Sequence, residues 1–242
     1  MRVSRIIMGT GVSIDIPGAK EVIFEKVFAR LREIDSQFST YKPESEVSRY
    51  GRGEIAEPNV SRDLKAIIKA CKAAEQATQG FFSAWATGSF DPSGYVKGWA
   101  INEAAKIIKK GGYNTFCIAI GGDILAASDS DKVWKIGIQN PQNRGAILAG
   151  VAVKNMAIAT SGNYERGLHI VSPKTGKPAD SILSISVVGP DIINADVLAT
   201  TAFVQGKFGL NFVGGQARGY EAYAVDKTGK ISMTAGMQAL LA

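Results

Sequence analysis

Two short segments of the chain combine residue types that could hold a metal-bound diphosphate. Residues 90–100 (FDPSGYVKGWA) form a glycine-containing loop that carries Lys97 and opens a predicted helix. Residues 194–201 (NADVLATT) place Asp196 and Thr200 four positions apart at the start of another predicted helix. Because residues four apart in a helix share one face, the carboxylate and the hydroxyl would lie side by side. Oxygen ligands of this kind suit Mg²⁺, which usually keeps room for substrate phosphates.

Both segments also have a simpler structural interpretation. Asp196 could stabilise a helix N-terminus while Thr200 packs, and the residues alone favour that interpretation. The glycines between Ser93 and Gly98 let a backbone approach phosphates, and a helix N-terminus favours anions. However, the loop matches neither a P-loop nor a dinucleotide fingerprint, so it could be a plain turn with Lys97 in solvent.

Three further sites could take part in catalysis or binding. His169 is the one histidine of the chain, and an imidazole can transfer protons near neutral pH. No serine or cysteine nucleophile motif surrounds it, which argues against a hydrolase triad. Residues 121–123 (GGD), ending in Asp123, could admit a flat ligand or form a hairpin turn. Residues 160–162 (TSG) could bind phosphate or simply end a strand.

The elements that must position these residues are helices and strands in mixed order. Apolar spacing predicts helices over residues 19–38, between Ser61 as N-cap and Gly80, over 97–110 and over 194–205, with a loop over 39–54. Strands are predicted over residues 2–8, 12–16, 115–120, 133–139, 147–153, 157–160, 168–171, 182–189, 220–225 and 230–234. This order predicts an α+β fold with mixed, mostly antiparallel sheets and packed helices. We expect residues 1–242 to form a single domain or two interlocked lobes.

Composition excludes several classes of protein. With 242 residues, 45% hydrophobic and 21% charged, the chain is long enough for a sizeable core. The net charge of +6 weakly favours anionic partners, but no basic run with interleaved aromatics points to nucleic acid. Cys71 and Cys117 support neither a zinc site nor a disulfide framework. There is no long apolar run, signal peptide or lipid-anchor motif, so we expect no membrane anchor and, if Met1 is the native start, a cytoplasmic protein.

Seven segments, taken in chain order, resemble the ApbE family of FAD:protein FMN transferases. Any one of them is weak evidence, but seven in the family's order are specific. They are residues 8–10 (MGT), 38–49 (FSTYKPESEVSR), 91–100 (DPSGYVKGWA), 120–124 (IGGDI), 159–166 (ATSGNYER), 169–178 (HIVSPKTGKP) and 195–206 (ADVLATTAFVQG). The resemblance implies an ApbE-like flavin transferase fold.

The resemblance also implies a reaction. Such proteins take FAD and Mg²⁺, transfer the FMN moiety to a Thr or Ser hydroxyl of a target protein, and release AMP. Acceptors in the family resemble Asp-x-x-Ser/Thr-Gly-Ala-Ser/Thr, a motif that this chain lacks, so the acceptor should be another protein. The alternatives are an FAD diphosphatase that releases FMN and AMP, and a flavin carrier without turnover.

Site residues follow by resemblance as well. Asp196 and Thr200 would be side-chain metal ligands, with the backbone carbonyls of Val96 and Ala199 as additional ones. His169 is the candidate base for the acceptor hydroxyl, and Lys97 would add electrostatic stabilisation. Residues assigned to cofactor binding, with Tyr41 and Trp99 stacking on the flat rings, are Met8, Tyr41, Ser83, Ala84, Ser93, Trp99, Asp123 and Ile170.

Two positions depart from the family pattern near the expected flavin site. Ala119 stands where Asn is frequent, and Ser83 where Asp is frequent. These departures bear on FAD affinity and on the balance between transfer and hydrolysis, whereas the metal motif is intact.

Overall fold

The computed structural model describes residues 1–164 and 167–242 of the chain. The strands are β1 (Arg2–Ile7), β2 (Thr10–Asp15), β3 (Phe116–Ile120), β4 (Asp123–Ala127), β5 (Trp134–Asn140), β6 (Asn143–Val153), β7 (Met156–Gly162), β8 (Ile182–Gly189), β9 (Glu221–Asp226) and β10 (Ile231–Met233). The α-helices are α1 (Glu21–Phe38), α2 (Glu46–Gly51), α3 (Arg62–Ala77), α4 (Ser93–Lys110), α5 (Ile192–Gln205) and α6 (Gly209–Gln216). Short 3₁₀ turns cover Glu57–Asn59, Gly206–Phe208 and Ala235–Leu240. Across these described parts of the chain, no helix combines the length and the apolar character needed to cross a membrane.

Antiparallel pairing dominates the sheets, which confirms the predicted α+β class. In the described residues, one sheet has the order β1-β2-β3-β4-β7-β8-β9-β10, and β5 pairs with β6 in a separate ribbon. Each strand pair in the large sheet is antiparallel. Helix α4 packs against α1 and α5, and α5 lies on β7 and β8. Apolar side chains of α1, α4, α5 and the sheet form the main core.

Side-chain hydrogen bonds accompany the starts of α3, α4 and α5. Ser61 caps α3 as predicted, because its hydroxyl accepts from the Leu64 N–H at 3.1 Å. Helix α4 begins at Ser93, four residues before its predicted start, and α5 begins at Ile192, two residues before its predicted start. At α4, the Asp91 carboxylate accepts from the Ser93 N–H at 3.0 Å, and at α5 the Asp191 carboxylate accepts from the Asn194 N–H at 2.8 Å.

Three other predictions differ from the structure. The strand expected over residues 168–171 is wrong, because only an isolated bridge between Val171 and Pro178 forms there. Helix α2 lies inside the expected loop and begins where the Ser45 hydroxyl accepts from the Ser48 N–H at 3.1 Å. Strand β4 was not predicted. It follows β3 through a two-residue turn, since Ile120 pairs with Asp123 in the antiparallel register.

Two glycines allow α4 and α5 to approach each other closely. A Cβ atom on Gly98 would lie 2.9 Å from the Ile192 carbonyl oxygen and from the Ile193 Cα. One turn earlier, a Cβ atom on Gly94 would lie 3.3 Å from the Thr200 hydroxyl. Because backbone rather than a flexible side chain blocks the space at Gly98, only glycine fits this helix contact without a shift.

The variant Gly98→Ala tests this contact. We expect it to lower the free energy of unfolding by roughly 1–3 kcal/mol, because overpacking pushes α4 and α5 apart. Urea denaturation followed by circular dichroism measures the change. Gly215→Ala in α6 is the matched control, since a Cβ there meets nothing within 4 Å. It should be neutral or stabilise the protein by up to about 1 kcal/mol. Equal stability of the two variants would contradict the close-contact interpretation.

Candidate active site

A cleft of about 540 Å³ opens beside the N-terminus of α4. Its walls come from distant parts of the sequence: the β1–β2 turn, the β3–β4 turn, β7, α4 and α5. The described lining residues are 9–11, 82–84, 86, 87, 91, 93, 94, 97, 121, 122, 139, 160–162, 164, 169–171, 196 and 200. A concave site of this volume is within the range of small-molecule and cofactor pockets.

Asp196 and Thr200 lie one turn apart on α5 and both face this cleft. Asp196 is only 2% exposed, and its Oδ2 accepts from the Gly98 N–H at 3.1 Å. The Thr200 hydroxyl is 3.3 Å from the Ser161 hydroxyl on β7. The close approach of α4 and α5 therefore brings the two α5 side chains to the same wall as Lys97 of α4.

Lys97 lies between two buried carboxylates. Its ammonium forms an ion pair with Asp123 and is 3.7 Å from Asp196 Oδ1. Asp123 is fully buried, and its Oδ1 accepts from the Thr160 N–H at 3.3 Å. Asp123 is not among the described residues on the cleft lining, so its predicted role in binding the cofactor has no direct contact to support it. Two carboxylates that share one ammonium leave one negative charge in excess when both are ionised.

Burial and the neighbouring charges change the acidity of Asp196. Burial raises the pKa of the Asp196 carboxyl well above its ordinary value; Lys97 opposes the rise, and Asp123 adds to it. A buried carboxylate is costly unless a cation compensates it. A divalent cation next to Asp196 would supply the missing positive charge.

The oxygen atoms on this wall fit Mg²⁺. This cation takes oxygen ligands, and it is often held by one or two carboxylates together with substrate phosphates. The Asp196 carboxylate and the Thr200 and Ser161 hydroxyls are oxygens of the required type. The described residues contain no group of three or more His, Cys, Asp or Glu that could hold a metal by itself. A cation here would therefore depend on backbone, water or phosphate oxygens to complete its shell.

The two predicted carbonyl ligands belong to buried residues in helices. Val96 precedes Lys97 in α4, and Ala199 precedes Thr200 in α5; both side chains lie in the core. Coordination by their carbonyl oxygens stays a prediction.

His169 is exposed and lines the cleft. Its Nδ1 lies 2.9 Å from the carbonyl oxygen of Gly167. A carbonyl can only accept a hydrogen bond, so Nδ1 carries the proton of this bond. In the neutral ring the lone pair is then on Nε2, which can accept a proton from a bound hydroxyl.

The N-terminus of α4 gives the cleft an anion-binding character. Ser93, Gly94 and Lys97 all line it at the start of an 18-residue helix. The first N–H groups of a helix lack intrahelical partners and the dipole favours negative charge there, so a phosphate is a suitable ligand.

The structure does not bring every predicted flavin contact to the cleft. Met8, Tyr41 and Trp99 are absent from its described lining. The Tyr41 side chain is 83% exposed. The Trp99 ring packs edge-on against Phe38, with centroids 5.3 Å apart, and the Arg30 guanidinium lies 5.7 Å from its centroid. Stacking of Tyr41 and Trp99 on a flavin stays a prediction without a contact that supports it. The predicted contacts that do line the cleft are Ser83, Ala84, Ser93 and Ile170.

Some cleft residues were not predicted. Gln139 reaches the cleft from the end of β5, but the sequence gives no signal for it, because a polar residue suits the exposed side of an alternating strand. Residues 160–162 end strand β7, which was one of the two expectations for them, and they also line the cleft. The last two residues of the ATSGNYER segment, Glu165 and Arg166, lie outside the described residues.

Comparison with known proteins gives consistent results. The model of the ApbE family matches residues 8–88 and 84–224. A protein of Haemophilus influenzae named FAD:protein FMN transferase is 24% identical over an aligned length of 259 residues. The match covers 79% of this chain and 75% of that protein. A protein of Vibrio cholerae with the same name is 25% identical over 238 residues, which cover 73% and 71%.

Solved structures share the fold. The flavin transferase ApbE from Vibrio cholerae has a TM-score of 0.84 at 22% identity, and the match covers 100% of this chain and 99% of that one. The ApbE protein from Thermotoga maritima has a TM-score of 0.84 at 21% identity, with 99% and 98% covered. Since the family model spans most of the sequence, this chain belongs to the ApbE family.

Proposed function

We propose that this protein is an enzyme that transfers the FMN moiety of FAD to a Thr or Ser hydroxyl of another protein, with Mg²⁺ as cofactor and AMP as leaving group. One observation carries the proposal: Asp196, Thr200, Lys97 and His169 face the same cleft although they come from separate segments. The relatives named FAD:protein FMN transferase support the choice of reaction. The acceptor would carry a motif like Asp-x-x-Ser/Thr-Gly-Ala-Ser/Thr.

The α4 end of the cleft would hold the diphosphate of FAD. The positive end of the α4 dipole and the Lys97 ammonium supply positive potential there, although the Ser93 N–H already donates to Asp91. Ser83, Ala84 and Ile170 would contact the flavin part, and Met8, Tyr41 and Trp99, which are not on the described lining, remain proposed contacts. These interactions fix the position of the reacting phosphorus, which is a large part of catalysis in phosphoryl transfer.

Asp196 and Thr200 would hold Mg²⁺, with Val96 and Ala199 carbonyls as further ligands. When bound, Mg²⁺ polarises the phosphoryl group and offsets charge on the diphosphate. The Gly98 N–H fixes the orientation of the Asp196 carboxylate, and Thr200 is held beside Ser161. The protein thus supplies a preorganised wall of oxygen ligands.

His169 would act as the base. Its Nε2 accepts the proton of the acceptor hydroxyl while the hydroxyl oxygen forms a bond to the FMN phosphorus. The bond between that phosphorus and the bridging oxygen breaks, and AMP leaves with the electron pair. Lys97 stabilises the negative charge that develops on the leaving phosphate.

Hydrolysis is the second candidate reaction, because His169 is exposed and the cleft is open to solvent. Water in place of the acceptor hydroxyl would give FMN and AMP by the same bond changes. The protein would then be an FAD diphosphatase. A flavin carrier without turnover is the remaining alternative.

The metal wall is tested by Asp196→Ala. We expect transfer to fall by roughly 100-fold or more, because the carboxylate that holds Mg²⁺ is lost. Covalent FMN on a co-expressed acceptor protein, measured by mass spectrometry, gives the rate. Asp191→Ala is the control on the same helix: it removes a cap hydrogen bond, costs about 1 kcal/mol of stability, and keeps transfer. Full flavinylation by Asp196→Ala, with Mg²⁺ as the only metal, would contradict the assignment.

The base is tested by His169→Gln. Transfer should slow by roughly 10²–10⁴-fold, since glutamine cannot accept the proton. The affinity for FAD, measured by quenching of flavin fluorescence, should stay unchanged because the ring is proposed to act on the acceptor hydroxyl. A variant that transfers FMN at the wild-type rate would show that another group takes the proton.

Incubation with FAD alone distinguishes the candidate reactions. We expect little FMN and AMP without an acceptor, and AMP release equal to covalent FMN when the acceptor is added. Chromatography of the nucleotides and mass spectrometry of the acceptor measure both products. Rapid release of FMN and AMP without acceptor would favour the diphosphatase, and stoichiometric binding without product would favour the carrier.

A further inference from the structure

Asp123 is a buried carboxylate that no proposed catalytic step uses. We infer that Asp123 is a positioning residue: it holds the Lys97 ammonium away from Asp196, and so leaves the Asp196 carboxylate open to a cation. The inference rests on the proposed function, because it concerns the same metal site. It replaces the predicted contact between Asp123 and the cofactor.

The backbone fixes Asp123 in place from two strands. Asp123 begins β4 directly after the two-residue turn at residues 121–122, and it pairs with Ile120 of β3. Its Oδ1 also accepts from the N–H of Thr160 on β7 at 3.3 Å. The side chain is 0% exposed, so a ligand in the cleft meets the neighbouring residues and not this carboxylate.

Among the described residues, Lys97 interacts unequally with two carboxylates. Its ammonium is paired with Asp123, whereas the distance to Asp196 Oδ1 is 3.7 Å, longer than a hydrogen bond. An ammonium is a compact charge on a flexible four-carbon stem, so it can move between nearby anions. Without the charge of Asp123, the remaining carboxylate next to the Lys97 ammonium is that of Asp196. Lys97 would then pair with Asp196 and compete with the cation for this carboxylate.

A count of charges makes the inference specific. Asp123, Lys97 and Asp196 together carry a charge of −1 when all are ionised. Asp123→Asn changes the sum to 0 and lets Lys97 close on Asp196, while the amide oxygen can still accept from the Thr160 N–H. Adding Lys97→Met restores the sum to −1 and removes the competing ammonium. Metal binding should therefore be weakened in the single variant and recovered in the double variant.

The experiment is a titration of the purified full chain with Mn²⁺, which takes oxygen ligands as Mg²⁺ does. The EPR signal of the free Mn²⁺ ion measures how much metal remains unbound. We expect Asp123→Asn to raise the dissociation constant for Mn²⁺ by roughly 10-fold or more. Removal of groups that orient metal ligands has effects of this size. The double variant Asp123→Asn/Lys97→Met should return to within about 3-fold of wild type by the charge count above. A merely structural role for Asp123 predicts no recovery.

Controls separate the possible failures. Asp180→Asn removes a carboxylate that pairs with Lys227 at 2.9 Å on the surface, and it should leave Mn²⁺ binding unchanged. Circular dichroism shows whether each variant folds; if the single variant does not, wild-type affinity in the double variant still supports the inference, and lost affinity overturns it. Wild-type affinity in folded Asp123→Asn, or a double variant as weak as the single one, also overturns it. If the wild-type chain itself binds no Mn²⁺, the proposed metal site fails instead.

Discussion

The buried ion pairs between one ammonium and two carboxylates constrain the whole candidate site. Lys97, Asp123 and Asp196 meet where α4, β4 and α5 come together, and both carboxylates are almost completely buried, although Asp196 borders the cleft. Such an arrangement is unfavourable unless every charge is matched, because charges in a poorly solvated interior are costly. When both carboxylates are ionised, the unmatched negative charge gives the site a physical preference for a cation. This preference is why we expect the phosphoryl transfer at the wall formed by α4 and α5, and not next to the aromatic residues Tyr41 and Trp99.

The fold creates this arrangement by tight packing of backbone. Gly94 and Gly98 let the first turns of α4 lie directly against α5, so the helix N-terminus, the lysine and the α5 ligands share one wall. The large antiparallel sheet adds the β3–β4 turn and β7, whose Ser161 lies beside Thr200. Functional side chains that are up to about a hundred positions apart in sequence therefore depend on a helix contact that tolerates no extra methyl group.

Much of the fold could be predicted from local pattern, and the exceptions have physical reasons. Helices α1 and α3 have long apolar stripes, and most strands alternate or are continuously apolar, so periodicity finds them. Helix α2 is six residues long and depends on the Ser45 cap, a signal too short for periodicity. The segment that contains His169 has the composition of a strand, but over residues 168–171 only one bridge, from Val171 to Pro178, forms.

The site was predictable only in part, since motif order identifies residues but not their contacts. Asp196, Thr200 and Lys97 were found together, whereas the pairing of Lys97 with Asp123 needs coordinates, and Gln139 gave no signal at all.

The most direct measurement is a crystal structure of the chain with Mg²⁺ and FAD. We expect an ion about 2.0–2.1 Å from oxygens of Asp196 and Thr200, bound to a diphosphate at the α4 N-terminus. A cation elsewhere, with the diphosphate away from Lys97, would contradict the proposed site.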